Sequence, residues 1–165
     1  MDKATTQSEQ LAKLREMIED IDICMFTTAE PDGTLRSRPM STQQSESDGD
    51  LWYYTLEDTP KVDELESDQR VNLSFASPKK NRYVSVSGTA RIVRDRQKIK
   101  ELWQPILEVW FPKGQDDPNL ALIKVSVEQA EYWDDTSNKM VQLMKMVKAA
   151  VMGASYEGEN EKLSL

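Results

Sequence analysis

Two arginines one residue apart stand in the segment Arg36-Ser37-Arg38-Pro39-Met40. Alternate residues of an extended strand share a face, so Arg36 and Arg38 are predicted to lie side by side, with Met40 beyond them. A guanidinium group donates paired hydrogen bonds in a fixed geometry that suits a phosphate. The pair therefore indicates a phosphate clamp or, as the simpler alternative, a charged strand face in contact with solvent.

A hydroxyl and an ammonium group follow the aromatic segment of residues 52–55 (WYYT). Thr59 and Lys61 flank Pro60, a residue favoured in the first turn of a helix because its missing N–H costs little there. Helix N-termini attract anions through free backbone N–H groups and the helix dipole. Thr59 and Lys61 thus indicate a second place for a phosphate. The alternative is that Thr59 only caps the helix and Lys61 extends into water.

Composition excludes several classes of chemistry. The 165 residues carry a formal net charge of −8, and an acidic surface repels nucleic acid, so we expect no such partner. The sequence contains no histidine, which removes the commonest general base and the commonest metal ligand. The one cysteine, Cys24, lies in an apolar run and is predicted to be a small buried residue rather than a nucleophile. We expect no metal site.

The length and composition predict a single globular domain over residues 1–165. There is no apolar run of membrane-spanning length and no N-terminal apolar signal segment, so we expect a cytoplasmic protein without a membrane partner.

Hydrophobic periodicity and turn residues predict the elements of this domain. The N-terminal segment of residues 1–20 is predicted to contain a helix over 8–20 with Ser8 as its N-cap. Two further helices are predicted, one from Pro60 and one over 95–103. A last helix is predicted after Asn138, within the C-terminal helix and tail of residues 138–165. Strands are predicted over residues 21–28, 35–43, 51–55, 70–77, 83–92 and 121–127, with a separate short strand over 130–133.

The segment from Tyr83 to Ile92 shows the clearest strand pattern, because apolar or small residues occupy its even positions. Gly88 in the middle of this pattern indicates a bulge or a sharp bend. About six strands in hairpins with flanking helices are typical of an α+β, mainly β domain with an antiparallel sheet, and such sheets usually close into a barrel or a sandwich.

Other side chains are interpreted structurally. Trp103, Trp110 and Phe111 have near-helical spacing and are predicted to form core or dimer contacts rather than ring contacts to a ligand. An acidic run is predicted to be a solvated helix face; its members are Asp58, Asp63, Glu64, Glu66 and Asp68.

The order of these motifs resembles the general stress protein branch of the pyridoxamine 5′-phosphate oxidase-like, FMN-binding split-barrel family. The resemblance covers nearly the whole chain. It rests on a leading helix, an apolar strand, PDG-x-x-x-SRPM, WYYT, T-P-K-V-x-E-L, YVSVSGTA, EYWD and a closing helix and tail. It implies a six-stranded antiparallel split β-barrel with flanking helices.

The resemblance also implies a homodimer with two flavin sites at the subunit interface, which would hold FMN, or FAD if the pocket opens beyond the phosphate. Arg36 and Arg38 form the proposed clamp, and Arg38, Pro39 and Met40 would line the ring and phosphate. Further cofactor contacts are implied for Tyr54 and Thr55 at the ring edge through backbone groups, Thr59 and Lys61 at the phosphate, and Trp133 from the partner chain.

Three functions follow as expectations. The first is an FMN-binding general stress protein that acts as an oxidoreductase with a nicotinamide donor, and the second is a non-catalytic carrier or sensor of FMN or FAD. Pyridoxamine 5′-phosphate oxidation ranks last, because the Arg-x-His substrate motif of that branch has no counterpart and Pro60 replaces one cationic phosphate contact. A heme- or deazaflavin-binding relative on the same barrel is a further alternative.

Overall fold

A computed structural model describes residues 6–44, 49–134 and 159–165. Three α-helices, α1 to α3, span Gln7–Ile18, Pro60–Ser67 and Arg96–Leu102, and short 3-10 helices span Pro78–Lys80 and Pro105–Val109. The described strands, β1 to β8, span Ile23–Ala29, Leu35–Ser41, Gln43–Gln44, Leu51–Leu56, Arg70–Ser77, Arg82–Val93, Leu120–Asp134 and Glu159–Ser164.

The described strands form one antiparallel sheet in the order β2-β1-β5-β6-β7-β4-β3, and β8 pairs with β7. The two ends of this order, β2 and β3, are consecutive in the chain and separated only by Thr42. The segment of residues 35–44 thus pairs with β1 through its first part and with β4 through its last part. Counted as one interrupted strand, it closes a ring of six strands, which confirms the predicted mainly β split barrel.

Thr42 anchors the interruption in this strand. Its hydroxyl donates to the Tyr53 hydroxyl at 2.8 Å, and its backbone N–H donates to the carbonyl of Asp22 at 3.2 Å. The Tyr53 hydroxyl lies 3.3 Å from Cys24 Sγ inside the barrel. Cys24 is 2% exposed, which confirms the prediction that it is a buried residue.

Apolar side chains are buried in two clusters, one on each face of the β4–β7 part of the sheet. The buried core of the barrel contains residues from β1 and from β4 to β8, with Phe26, Tyr53 and Leu73 fully buried and Met40 of β2 packed against it. Helix α1 closes the barrel through Leu14, Met17 and Ile18. A second cluster packs α3 and the 3-10 helix at Pro105–Val109 on the outer face of the sheet; it contains Trp52, Tyr54, Ile99, Leu107, Leu120 and Leu122.

Several local predictions are confirmed. Helix α2 begins at Pro60 and buries Val62 and Leu65, as its apolar stripe indicates. The even positions of β6 point inward from Val84 to Ala90. A register shift between Ser87 and Gly88 marks the predicted bulge.

Other local predictions are wrong. The N-cap of α1 is Thr6 rather than Ser8, because Thr6 and Glu9 form a reciprocal capping box. The strands predicted over 121–127 and 130–133 are one strand, β7, in which Glu128 is the extra residue opposite the step from Ser87 to Gly88. The polar tail contains β8, whose backbone pairs with β7. Asn138 and the helix after it lie outside the described residues.

In the part of the chain that the structure describes, every helix is too short or too polar to cross a membrane.

Gly88 generates a stability prediction, because a Cβ at this position would lie 2.2 Å from the backbone carbonyl oxygen of Ser126. Gly88→Ala must displace the backbone of β7, and we expect it to lower the free energy of unfolding by ~2 kcal/mol or more. Urea denaturation measures the change. Ser126→Ala alters only the exposed side chain of the residue whose carbonyl approaches Gly88 and is the control. Equal stability of the two variants would contradict the close approach.

Candidate functional site

The barrel is open between β2 and β4. Strand β3 pairs only with Leu51 and Trp52, whereas β7 pairs with the whole of β4. The edge of β4 at Tyr54 and Thr55 therefore faces the opening without a strand partner among the described residues. Alternate backbone groups of an antiparallel strand point toward each edge, so this part of β4 offers free hydrogen-bonding groups to a ligand.

A groove of about 330 Å³ occupies this opening on the outer face of the barrel. Strands β1 and β2 form one wall, and Tyr54 with the segment after α3 forms the other. Lys61 on α2 lies on its border. The groove is lined by Ile23, Pro39, Met40, Ser41, Tyr54, Lys61, Leu107, Trp110 and Phe111.

Aromatic packing fixes the wall opposite β2. The rings of Tyr54 and Trp103 meet edge to face, with centroids 5.5 Å apart, and Phe111 lies 6.1 Å from the Tyr54 ring. The Tyr54 hydroxyl donates to the carbonyl of Ile99 at 2.6 Å, and burial raises the pKa of this phenol. Tyr54 is therefore a neutral, immobile wall of the groove and is not available for proton transfer.

Hydroxyl groups connect the end of β4 to the start of α2. Thr59 Oγ1 lies 3.4 Å from Thr55 Oγ1, and Lys61 Nζ donates to Thr59 Oγ1 at 3.4 Å. The Thr59 hydroxyl itself donates to the carbonyl of Leu56 at 2.8 Å and caps none of the N–H groups of α2, a helix that lies wholly in the described part. Thr59 therefore occupies the N-cap position of α2, as the alternative interpretation has it, but its side chain makes no capping hydrogen bond.

The two arginines of β2 share a face, as their spacing predicts. Their cross-strand partners are Thr28 for Arg36 and Phe26 for Arg38, and both partners are buried. Directly opposed residues of a sheet point to the same side. Arg36 and Arg38 therefore lie at the mouth of the barrel rather than on a free outer face.

Glu64 of α2 meets these arginines. Its Oε2 accepts from Arg38 Nη2 at 2.8 Å and from the Thr28 hydroxyl at 2.5 Å, and its Oε1 lies 3.7 Å from Arg36 Nη1. Arg38 Nη1 also donates to Thr28 Oγ1 at 2.8 Å. Glu64 is 6% exposed, so its predicted place on a solvated helix face is wrong. The exposed members of the acidic run agree with that prediction; they are Asp58, Asp63 and Glu66.

Lys61 lies within electrostatic range of the same group. Burial lowers the pKa of the Lys61 ammonium, repulsion from Arg38 and Arg36 lowers it further, and Glu64 raises it. A buried ammonium facing two guanidinium groups is unfavourable unless an anion compensates it. Glu64 compensates part of this repulsion, and the remaining positive charge favours a further anion at this position.

The structure brings most of the predicted site residues into two adjoining groups. Pro39, Met40, Tyr54 and Lys61 line the groove, and Thr55 and Thr59 adjoin Lys61. Arg36 and Arg38 lie with Glu64 and Thr28 beyond Lys61.

Trp133 is the exception among the predicted site residues. It pairs with Tyr83 on β6, is 43% exposed and does not line the groove of its own chain.

Sequence reasoning did not name the groove residues Ile23, Ser41 and Leu107, and it gave Trp110, Phe111 and Glu64 other roles. Trp110 and Phe111 line the groove, whereas their spacing indicates core or dimer contacts. Glu64 was predicted to lie on a solvated helix face because other acidic residues surround it in the sequence. Its position three residues after Lys61 was the available signal, because residues three apart on a helix are neighbours.

Comparisons with known proteins identify the family of the chain. Residues 9–157 match the family described as pyridoxamine 5′-phosphate oxidase like, and the chain belongs to this family. The protein bli-3 of Neurospora crassa is 29% identical over 163 residues, which cover 93% of this chain and 78% of that protein.

Solved structures share the fold. A Clostridium acetobutylicum protein, described as related to a general stress protein and as a member of the pyridoxinephosphate oxidase family, is similar with a TM-score of 0.70 and 21% identity, and the match covers 97% of each chain. The general stress FMN/FAD binding protein of Xanthomonas citri is 28% identical with a TM-score of 0.67, over 80% of this chain and 93% of that one.

The electrostatics of Lys61 predict that Lys61→Met stabilises the protein without ligand. Because the pKa of Lys61 is lowered in the folded state, the unfolded chain binds this proton more tightly. The loss of folding stability caused by the charged Lys61 is complete at pH values below its lowered pKa. It disappears as the pH rises toward 10.5, the pKa of a free lysine.

We therefore expect Lys61→Met to raise the Tm by about 2–4 °C at neutral pH, as ~1 kcal/mol does in a domain of this size. Thermal unfolding followed by circular dichroism measures the change. Lys79→Met, at an exposed lysine, is the control and should leave the Tm unchanged. A lower Tm for Lys61→Met would show that the ammonium stabilises the fold.

Proposed function

We propose that this chain binds FMN in the groove between β2 and β4 and uses it as an oxidoreductase with a nicotinamide donor. One observation carries the proposal: a groove with apolar and aromatic walls has a partly buried ammonium on its border, next to two arginines. A flat ring joined to a phosphate is complementary to this groove, because the ring matches the apolar walls and the phosphate matches the cationic end.

The described residues fit such a cofactor. The groove volume of about 330 Å³ falls in the range of small-molecule sites, and the groove is open rather than sealed. Lys61, Thr59 and the exposed side of Arg36 would hold the phosphate. Met40, Pro39 and Trp110 would contact the ring, and backbone groups of Tyr54 and Thr55 at the open strand edge would meet its polar rim. FAD fits the same chemistry where the groove opens past the phosphate.

The bound flavin would supply the electron and hydride transfer, so the protein need not supply an acid or a base. The chain lacks histidine, and the Tyr54 hydroxyl is committed to the Ile99 carbonyl. The task of the side chains in the groove is therefore to bind the cofactor, to orient its ring against the aromatic wall, and to leave one side of it accessible.

Lys61→Met tests the phosphate contact. Loss of a charge-assisted hydrogen bond to a phosphate removes ~1.5–3 kcal/mol, so we expect the Kd for FMN to rise by about ten- to a hundredfold. Riboflavin has the same ring and no phosphate, and its Kd should change by less than about twofold. Quenching of flavin fluorescence measures both constants. Equal losses for the two ligands would contradict the assignment of Lys61, and no quenching by the unaltered protein would contradict flavin binding.

The same absence of acid and base groups favours a second candidate, a non-catalytic carrier or sensor of FMN or FAD. Anaerobic mixing of the flavin-loaded protein with NADH or NADPH separates the two. Bleaching of the visible flavin absorbance supports the oxidoreductase. A flavin that stays oxidised with both donors supports the carrier.

We also propose that the chain forms a homodimer in which the partner's Trp133 approaches the groove. The support is a strip of exposed apolar residues on the outer face of the sheet, where Tyr83 pairs with Ala76 and with Trp133. Because Cys24 pairs with Phe75, Ile23 falls beside Ala76 and continues the strip to the edge of the groove. Ile23, Tyr83 and Trp133 are 43%, 42% and 43% exposed.

A single chain cannot complete this arrangement. Trp133 lies three strand spacings from Ile23 along the strip, roughly 14 Å, which is beyond the reach of an indole side chain. Contiguous exposed apolar surface of this kind marks an interface.

Light scattering tests the dimer. We expect a dimeric mass for the unaltered protein, and Trp133→Glu should shift it toward a monomer because it places a charge within the strip. Gln97→Glu changes the net charge by the same amount at an exposed residue of α3, outside the strip, and should leave the mass unchanged. A monomer that still binds FMN with undiminished affinity would overturn the shared site.

A further inference from the structure

Glu64 places a negative charge inside a site that otherwise attracts anions. Its side chain is 7% exposed and lies against Arg38, whose side chain is 16% exposed, and against the more accessible Arg36, which is 54% exposed. A buried carboxylate needs such partners, since an unpaired one is strongly unfavourable. The two arginines supply them in the absence of any ligand.

The guanidinium group of Arg38 is bonded to several acceptors of the protein itself. Nη2 donates to Glu64 at 2.8 Å, and Nη1 donates to Thr28 at 2.8 Å and to the carbonyl of Phe26 at 3.4 Å. Arg38 is thus held by protein acceptors rather than left open for an external phosphate. Arg36 is bound more loosely, 3.7 Å from Glu64 and 3.9 Å from Glu30.

We propose that Glu64 is an internal counterion that competes with the phosphate group of a ligand for Arg38 and thereby limits the affinity of the site for phosphate esters. A phosphate that approaches Lys61 experiences the charge of Glu64 as repulsion and must share the guanidinium of Arg38 with it. The role of Glu64 is one of positioning and competition, not catalysis. The inference rests on the proposed function only in that both use the same anion-binding end of the groove.

Glu64→Gln separates charge from structure. A glutamine amide keeps an acceptor oxygen for Arg38 or Thr28 and nearly the same volume, but it removes the negative charge. We expect the protein without ligand to unfold at a lower temperature, because Arg38 loses its charged partner and Arg36 and Lys61 lose a nearby negative charge. We expect inorganic phosphate to bind about tenfold more tightly, as removal of one nearby unit charge of the same sign implies in a partly buried site.

The experiment follows Tm against the concentration of inorganic phosphate at constant ionic strength, which yields a Kd through linkage. The same variants are titrated with FMN and riboflavin by fluorescence quenching. Phosphate and FMN should both gain affinity, and riboflavin should not. Glu66→Gln is the matched control, since Glu66 belongs to the same helix, the substitution changes the net charge equally, and its side chain is 60% exposed.

Three results would overturn the inference: a phosphate affinity of Glu64→Gln equal to or below that of the unaltered protein, the same gain in Glu66→Gln, or no response to phosphate in any variant. If the unaltered protein fails to bind FMN while Glu64→Gln still gains affinity for phosphate, the proposed function fails and the inference stands. If Glu64→Gln does not fold, Glu64→Asp replaces it. The shorter side chain withdraws from Arg38, and phosphate affinity should rise above that of the unaltered protein; an equal or lower affinity would again contradict the inference.

Discussion

The site depends on one constraint, the interruption of a single strand at Thr42. Because residues 35–41 pair with β1 and residues 43–44 pair with β4, the barrel closes and yet stays open on one side. Because β3 pairs only with Leu51 and Trp52, the remainder of β4 faces the opening. The Thr42 hydroxyl bonded to Tyr53 and its backbone N–H bonded to Asp22 hold the chain at this point. The groove is therefore a product of topology, and its side chains only line it.

The electrostatics of the site express a balance between stability and binding. Burial and the two arginines lower the pKa of the Lys61 ammonium, whereas the negative charge of Glu64 raises it, and Glu64 is also bonded to Arg38. A site without the carboxylate would hold an anion more tightly, but the barrel mouth would carry three neighbouring cations whenever it was empty. A carboxylate partner thus favours a protein that tolerates both the loaded and the empty state. A protein that is stable with and without its ligand is suited to a ligand that exchanges, rather than to one that stays bound permanently.

Much of the fold was predictable because its signals are local. The alternation from Tyr83 to Ile92, the Pro60 helix start and the Gly88 bulge each depend on a few neighbouring residues. Wrong predictions arose where distant contacts decide the outcome. The burial of Glu64 depends on β2 approaching α2, and β8 forms from a polar segment because β7 offers its edge. Trp110 and Phe111 reach the groove because the chain after α3 folds back onto β4, which helical spacing does not reveal.

Strand β7 has a second partner, β8, on the same side as β4. Its first residues pair with β4, and Gln129–Asp134 pair with β8 on the same side. Without β8, that stretch would present an unsatisfied row of amides and carbonyls, a template onto which an extended segment of another molecule could add. Leu163 anchors β8 to the barrel, because its side chain is 3% exposed and belongs to the core. Residues 159–164 therefore satisfy the backbone groups at this edge of β7 and remove an exposed strand edge of the kind that promotes aggregation.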